Sequence, residues 1–197
     1  PADALVQAQL GAALLKAGDA RGAIESLRRA LSLDPELDLA RHNLAQALAG
    51  RGELDAARAE YEALVQRHPD DSDARRGFGL VLAGLDRGPE ALRELRALLA
   101  RLPDDLVAHD TLGQLLLGQA ARATGAGKRA ALEEATAHLR VVVKGRPEDA
   151  DAWNNLGSAL AMQGALEEAA QSFERALRLD PGHAAARANL SRARGRS

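Results

Sequence analysis

Five prolines constrain this chain more than any other feature. Pro35, Pro69, Pro103, Pro147 and Pro181 are separated by 34, 34, 44 and 34 residues, and a fixed period with one interval in excess marks a repeat array that carries an insertion. Alignment on these prolines brings other residues into columns. Leu10-Gly11, Leu44-Ala45, Phe78-Gly79, Leu112-Gly113 and Leu156-Gly157 form one column; Ala23, Ala57, Ala91, Ala135 and Ala169 form a second; Leu27, Tyr61, Leu95, Leu139 and Phe173 form a third. A short apolar pattern repeated in this way cannot enclose a core within one period, so each period must bury its face on the next.

The composition says what the repeated element is. Hydrophobic residues make up 46% of the 197 positions but aromatic ones only 2%, so the apolar content is Ala and Leu, both strong helix formers. Each period reads as a helix pair, in which the first helix (A) carries the Leu-Gly step and the second (B) carries the Ala and large apolar columns. Small residues let the two helices approach, large ones fill the gap, and proline ends helix B because it cannot continue the hydrogen-bond ladder. Gly18, Gly52 and Gly164 mark the A/B turns, with Asp86 at the equivalent place in the third period. Pro89 falls at the start of a helix B, where its missing N–H costs nothing.

These columns resemble the tetratricopeptide repeat family, whose pattern is W-x2-L-G-x2-Y, then A-x3-F, then P. The best single match runs from Trp153 to Leu160 as WNNLGSAL, followed by Ala169, Phe173, Ala176 and Pro181. The resemblance implies an all-α fold, a right-handed α-solenoid of helix-turn-helix repeats forming one array over residues 1–197. Its repeats cover 4–37, 38–71, 72–105, 106–149 and 150–183. Residues 184–195 repeat only the helix A pattern, with Leu190 at the Leu position and polar residues elsewhere, and read as a solvating cap helix.

The fourth repeat holds the ten extra residues, near 119–130. Gly125-Ala126-Gly127 breaks a helix-favouring run there, and the spacing predicts a helix A about one turn longer and a helix B starting about two turns earlier. One reading is drift in a surface turn, which tolerates insertion at small entropic cost. The other is an added contact surface bearing Arg122, Lys128 and Arg129. GAGKRA looks like a phosphate loop only superficially, since Arg122 stands where the first Gly is required and Arg129 where Ser or Thr should follow the Lys.

The resemblance also implies where a ligand sits, on the helix A faces that line the concave side, at set repeat positions. The fifth, sixth and ninth positions supply Gln9, His42, Asn43, Gln46, Arg76, Thr111, Gln114, Asn154, Asn155, Ser158 and Asn189 as candidate contacts. Chaperone-binding members of the family use a carboxylate clamp of Lys, Asn and Arg. Here the flanks of Asn43 are Ala8, Ala12, Asp73 and Gly77, so the clamp is missing. A second family mode, the asparagine ladder of O-GlcNAc transferase, pairs sixth-position amides with the backbone of an extended peptide. Asn43, Asn155 and Asn189 match it, Gln9 and Thr111 are partial substitutes, and Gly77 breaks it. The competing reading is that these asparagines belong to the repeat consensus and face water.

The remaining features narrow the function. A formal net charge of −2 and the absence of cysteine argue against nucleic acid as principal partner and exclude disulfide frameworks and thiolate chemistry. No apolar run reaches the length of a membrane span. His42, His68, His109, His138 and His183 occupy different repeat positions and read as spread along the array, with His68 and His183 on the surface. That leaves no predicted meeting of nucleophile and base. Asp70, Asp71, Asp73, Asp149 and Asp151 precede or open A helices and read as caps. Arg187, Arg192, Arg194 and Arg196 read as a solvated helix end rather than an anion site.

The expectation is thus a non-catalytic scaffold, without cofactor or metal, that binds an extended peptide or a partner protein. Two alternatives stay open: a recruiting or dimerising module of a larger glycosyltransferase, sulfotransferase or hydroxylase, and a bacterial envelope or pilus assembly protein. An excess of 23 arginines over 3 lysines reads as the codon usage of a GC-rich bacterial genome. The start at Pro1, with neither Met nor a leader-like stretch, reads as an excised fragment or a processed chain. The expected location is cytoplasmic, or envelope-associated if an upstream signal has been removed.

Overall fold

The computed structural model describes residues 2–195; Pro1, Arg196 and Ser197 lie outside the described residues. It consists of α-helices joined by short turns: α1 (Ala2–Lys16), α2 (Ala20–Leu33), α3 (Asp38–Gly50), α4 (Leu54–Arg67), α5 (Ser72–Gly84), α6 (Gly88–Leu99), α7 (Leu106–Arg122), α8 (Gly125–Gly145), α9 (Ala150–Gln163), α10 (Leu166–Leu179) and α11 (Ala184–Arg194). Odd-numbered helices are of type A and even-numbered ones of type B, so the fold is an all-α helical repeat. The chain divides into two compact units, residues 1–102 with α1 to α6 and residues 103–197 with α7 to α11.

Several helix starts have a side-chain cause. Asp19, Asp71, Asp105 and Asp149 cap α2, α5, α7 and α9 by accepting backbone N–H groups two or three residues ahead, which satisfies donors that have no partner inside the helix. The A/B turns need a left-handed residue. Gly18, Gly52 and Gly164 supply it with φ of 83°, 78° and 87°, and Asp86 takes φ 57° in the third repeat, a conformation that Asp tolerates better than most residues.

Packing follows the columns. A Cβ on Gly157 would lie 2.6 Å from Phe173 Cε1, and Cβ atoms on Gly11, Gly79 and Gly113 would meet Leu27, Leu95 and Leu139 at 2.5 to 2.7 Å. The glycine on helix A is the socket for the large residue on helix B. In the residue 103–197 unit, Phe173 joins Leu139, Val142, Leu156, Leu160 and Ala193 in one core cluster, with Trp153 and Leu190 against its edge. Leu190 holds the cap helix on that core.

Within the first unit each A helix packs on the next, α1 on α3 and α3 on α5, and in the second unit α7 packs on α9 and α9 on α11. Within each unit, among the described residues, successive B helices make no such contact. The A helices therefore form the tighter side of each unit. The long fourth repeat is built from an α7 of 17 residues and an α8 of 21, where α3 and α4 have 13 and 14. These differences amount to about one and two helical turns.

Candidate functional site

Residues at the fifth, sixth and ninth positions of an A helix stand at i, i+1 and i+4 and share one face. In the first unit this face carries Gln9 on α1, His42, Asn43 and Gln46 on α3, and Arg76 on α5. Among the described residues, the side chains of Gln9, Asn43 and Gln46 have no hydrogen-bond partner. Arg76 Nη1 donates to Asp73 Oδ1 at 2.6 Å. His42 stands edge-on to Tyr61, with ring centroids 5.8 Å apart.

Tyr61 explains the missing rung at Gly77. Its column holds Leu or Phe elsewhere, and its Gly socket is replaced by Ala45. The longer phenol ends against the next A helix, so that a Cβ on Gly77 would lie 2.3 Å from Tyr61 Cζ. No side chain fits there. The ring is buried; that burial, reinforced by the negative charge of Asp73, pushes the phenol pKa up to about 12.

In the second unit the corresponding face carries Thr111 and Gln114 on α7, Asn154, Asn155 and Ser158 on α9, and Asn189 on α11. Thr111 and Ser158 hydroxyls donate to the carbonyls of Val107 and Asn154 one turn back, and Gln114 donates to Asp110 at 3.0 Å. Asn189 Nδ2 donates to Asn154 Oδ1 at 3.0 Å, and its Oδ1 accepts from Arg192 at 3.3 Å. The amide of Asn189 is thus engaged inside the protein, while Asn155 has no hydrogen-bond partner among the described residues.

The profile of the tetratricopeptide repeat matches residues 14–77, and a second profile of the same repeat matches 150–183. The chain is a tetratricopeptide repeat protein. Solved structures of similar fold include YrrB, a tetratricopeptide repeat protein with an unusual peptide-binding site, at 21% identity and a TM-score of 0.80, covering 96% of this chain and 92% of that one. MamA from residue 41 onward, from Desulfovibrio magneticus RS-1, shares 20% identity at a TM-score of 0.79, covering 93% of this chain and 98% of that one. PilW, a widely conserved type IV pilus biogenesis factor, shares 21% at 0.76, covering 98% and 87%. No curated protein matches the chain in sequence.

Tetratricopeptide repeat columns also reveal a tie between helices that sequence reading missed. Six residues after each proline stands Arg41, Arg75, His109, Trp153 or Arg187. Each reaches back to that proline's carbonyl, at 2.5 to 2.9 Å. Arg41 and Arg75 also bind Glu60 and Glu94 on helix B at 2.7 and 2.6 Å. In the fourth repeat the same two places hold histidines, and His109 Nδ1 lies 2.7 Å from His138 Nδ1. The expectation that the five histidines stay apart is therefore corrected for this pair. The cause is that their places, six after one proline and nine before the next, face each other across the second, third and fourth helix pairs; noting which columns carry Arg and Glu together would have found them.

His183 is likewise not a surface residue. Its side chain is 12% exposed, Nε2 lies 3.2 Å from Asp151, and Nδ1 accepts from Ala186 N at the start of α11. Among the described residues no group of three or more His, Asp or Glu side chains is placed to hold a metal ion, and no helix is long and apolar enough to cross a membrane. Arg122, Lys128 and Arg129 stand around the α7/α8 turn. Lys128 and Arg129 line an open depression of about 420 Å³ with Leu132, Glu133, Met162 and Gln163.

Proposed function

We propose that this protein is a non-catalytic scaffold that holds an extended polypeptide against the exposed faces of its A helices. The observation that carries the reading is the pair Asn43 and Asn155, which occupy the same repeat position in the two units with amides that no described residue engages. A side-chain amide offers donor and acceptor together, matching a peptide N–H and C=O whatever the peptide's side chains. Gln9 and Gln46 extend this surface in the first unit. In the second, Asn189 and Ser158 act by holding Asn154 in place, and Thr111 and Gln114 flank it. Arg122, Lys128 and Arg129 add a basic contact at the long repeat.

The test selects binders from a library of displayed random peptides on the full chain, then compares affinities for the wild type and for a variant with Asn43 and Asn155 changed to Ala. Each lost hydrogen bond is worth about 0.5–1.5 kcal/mol, so the two together weaken binding by about five- to hundredfold. Unchanged affinity in a variant with wild-type helicity sinks the proposal.

A further inference from the structure

The second, third and fourth repeats each tie helix A to helix B at the same two places. In the second and third the tie is an ion pair, Arg41 with Glu60 and Arg75 with Glu94. In the fourth it is His109 with His138. We propose that this substitution makes the fourth repeat an acid-sensitive joint, closed while the pair holds at most one added proton and opened by a second.

The hydrogen inventory carries the argument. The carbonyl of Pro103, 2.9 Å from His109 Nε2, can only accept, so Nε2 holds a hydrogen and Nδ1 of the neutral ring is an acceptor. His138 Nδ1 must then donate across the 2.7 Å contact. An added proton has a place on His138 Nε2, which lies 3.7 Å from Glu134 Oε1. A second has only His109 Nδ1, already aimed at an N–H. Two N–H groups and two positive rings cannot share that contact, and the rings must part.

The second proton would land where positive charge is disfavoured. His109 is buried and stands in the first turns of α7, where the helix dipole opposes positive charge. On α7, the Asp105 side chain accepts from Ala108 N, and Asp110 accepts from Gln114 and faces Arg146 at 3.7 Å. At the start of α9, Asp149 pairs with Arg146, and on that helix Asp151 faces His183. On α10, Glu168 pairs with Arg140 of α8. The Arg–Glu ties contain no histidine; α3/α4 still carries His42 beside Tyr61 and His68 beside Asp38, whereas α5 and α6 carry none, so α5/α6 is the pair without such a response.

If the open state takes both protons at the ordinary histidine value of about 6.5 and the closed state takes one, the opening constant rises about thirtyfold from pH 7.5 to 5.0. Hydrogen exchange of the full chain, corrected for intrinsic rates, reads this at Leu112, Leu116, Leu139 and Val142, with the buried Leu82 and Leu95 as controls in α5 and α6. The expected result is a rise near thirtyfold in α7 and α8 and under about threefold in the controls. The variant H109R/H138E, which installs the tie of the second and third repeats, is expected to lose the response.

Equal pH dependence in both regions overturns the proposal. Should that variant fail to fold, nitrogen-15 spectra of the native histidines decide. His109 as the Nε2–H tautomer and His138 as the Nδ1–H tautomer near neutral pH support the proposal. Both rings fully protonated at pH 5 with α7 and α8 still protected refute it.

Discussion

Changing Gly157 to Ala tests the socket packing seen at Gly11, Gly79, Gly113 and Gly157. The added methyl would sit 2.6 Å from Phe173 Cε1 and 2.7 Å from Cδ1, and the ring is 1% exposed and enclosed by Leu139, Leu156 and Leu160, so it has nowhere to swing. Such overpacking costs about 1–3 kcal/mol, offset by about 1 kcal/mol from replacing a glycine inside a helix, for a net loss of about 1 kcal/mol. Phe173→Ala alone costs about 3–5 kcal/mol. Once the ring is gone, however, the new methyl has room, and the helix gain of about 1 kcal/mol remains. Gly157→Ala should therefore destabilise the wild type and stabilise Phe173→Ala, a coupling of about 2 kcal/mol with a change of sign. Urea unfolding followed by fluorescence of Trp153, the single tryptophan, reports on this core. Equal shifts in both backgrounds, within about 0.5 kcal/mol, would refute the socket account.

Further expectations concern single side chains. Tyr61, the single tyrosine, should ionise near pH 12. Because the folded value lies above the unfolded one, its contribution is complete below about pH 10 and fades toward pH 12 by about 1.4 kcal/mol per pH unit; ultraviolet titration showing ionisation near pH 10 with the helices intact contradicts this. Arg75→Met leaves Glu94, whose side chain is 9% exposed, with Arg93 as its remaining partner and should cost about 1–3 kcal/mol, whereas R75M/E94L recovers most of that loss. Equal thermal stability of the single and double variants would count against a tie at this place. Asp149→Ala removes the α9 cap and should cost about 1 kcal/mol in urea unfolding, against no change if Asp149 served only as a surface charge.

Much of the fold was legible because each repeat samples the same constraint. One proline period is weak evidence, but Gly157 with Phe173 and Gly79 with Leu95 are separate instances of one socket, and Asp86 standing in for Gly18, Gly52 and Gly164 is the kind of exchange that a left-handed turn permits. The candidate faces were legible only as positions on a helix. Whether an amide there is available depends on neighbours from another repeat, as Asn189 shows by spending its side chain on Asn154 and Arg192. Gly77 was read as a gap in a ladder, and its cause is the length of Tyr61 arriving from the preceding helix B. The histidine pair escaped because different repeat positions read as separate places, whereas the position six after one proline meets the position nine before the next, as Arg41 with Glu60 and Arg75 with Glu94 also show.

The central claim is that unengaged amides on the A helices take up a peptide backbone. The most direct measurement follows the side-chain NH₂ signals of asparagine and glutamine in nitrogen-15 spectra of the full chain as a selected peptide is added. The account predicts that the Asn43 and Asn155 signals move first and furthest, with those of Gln9 and Gln46 following and Asn189 least changed. Movement confined to the B helices or to the α7/α8 turn, with Asn43 and Asn155 unmoved at saturation, would contradict it.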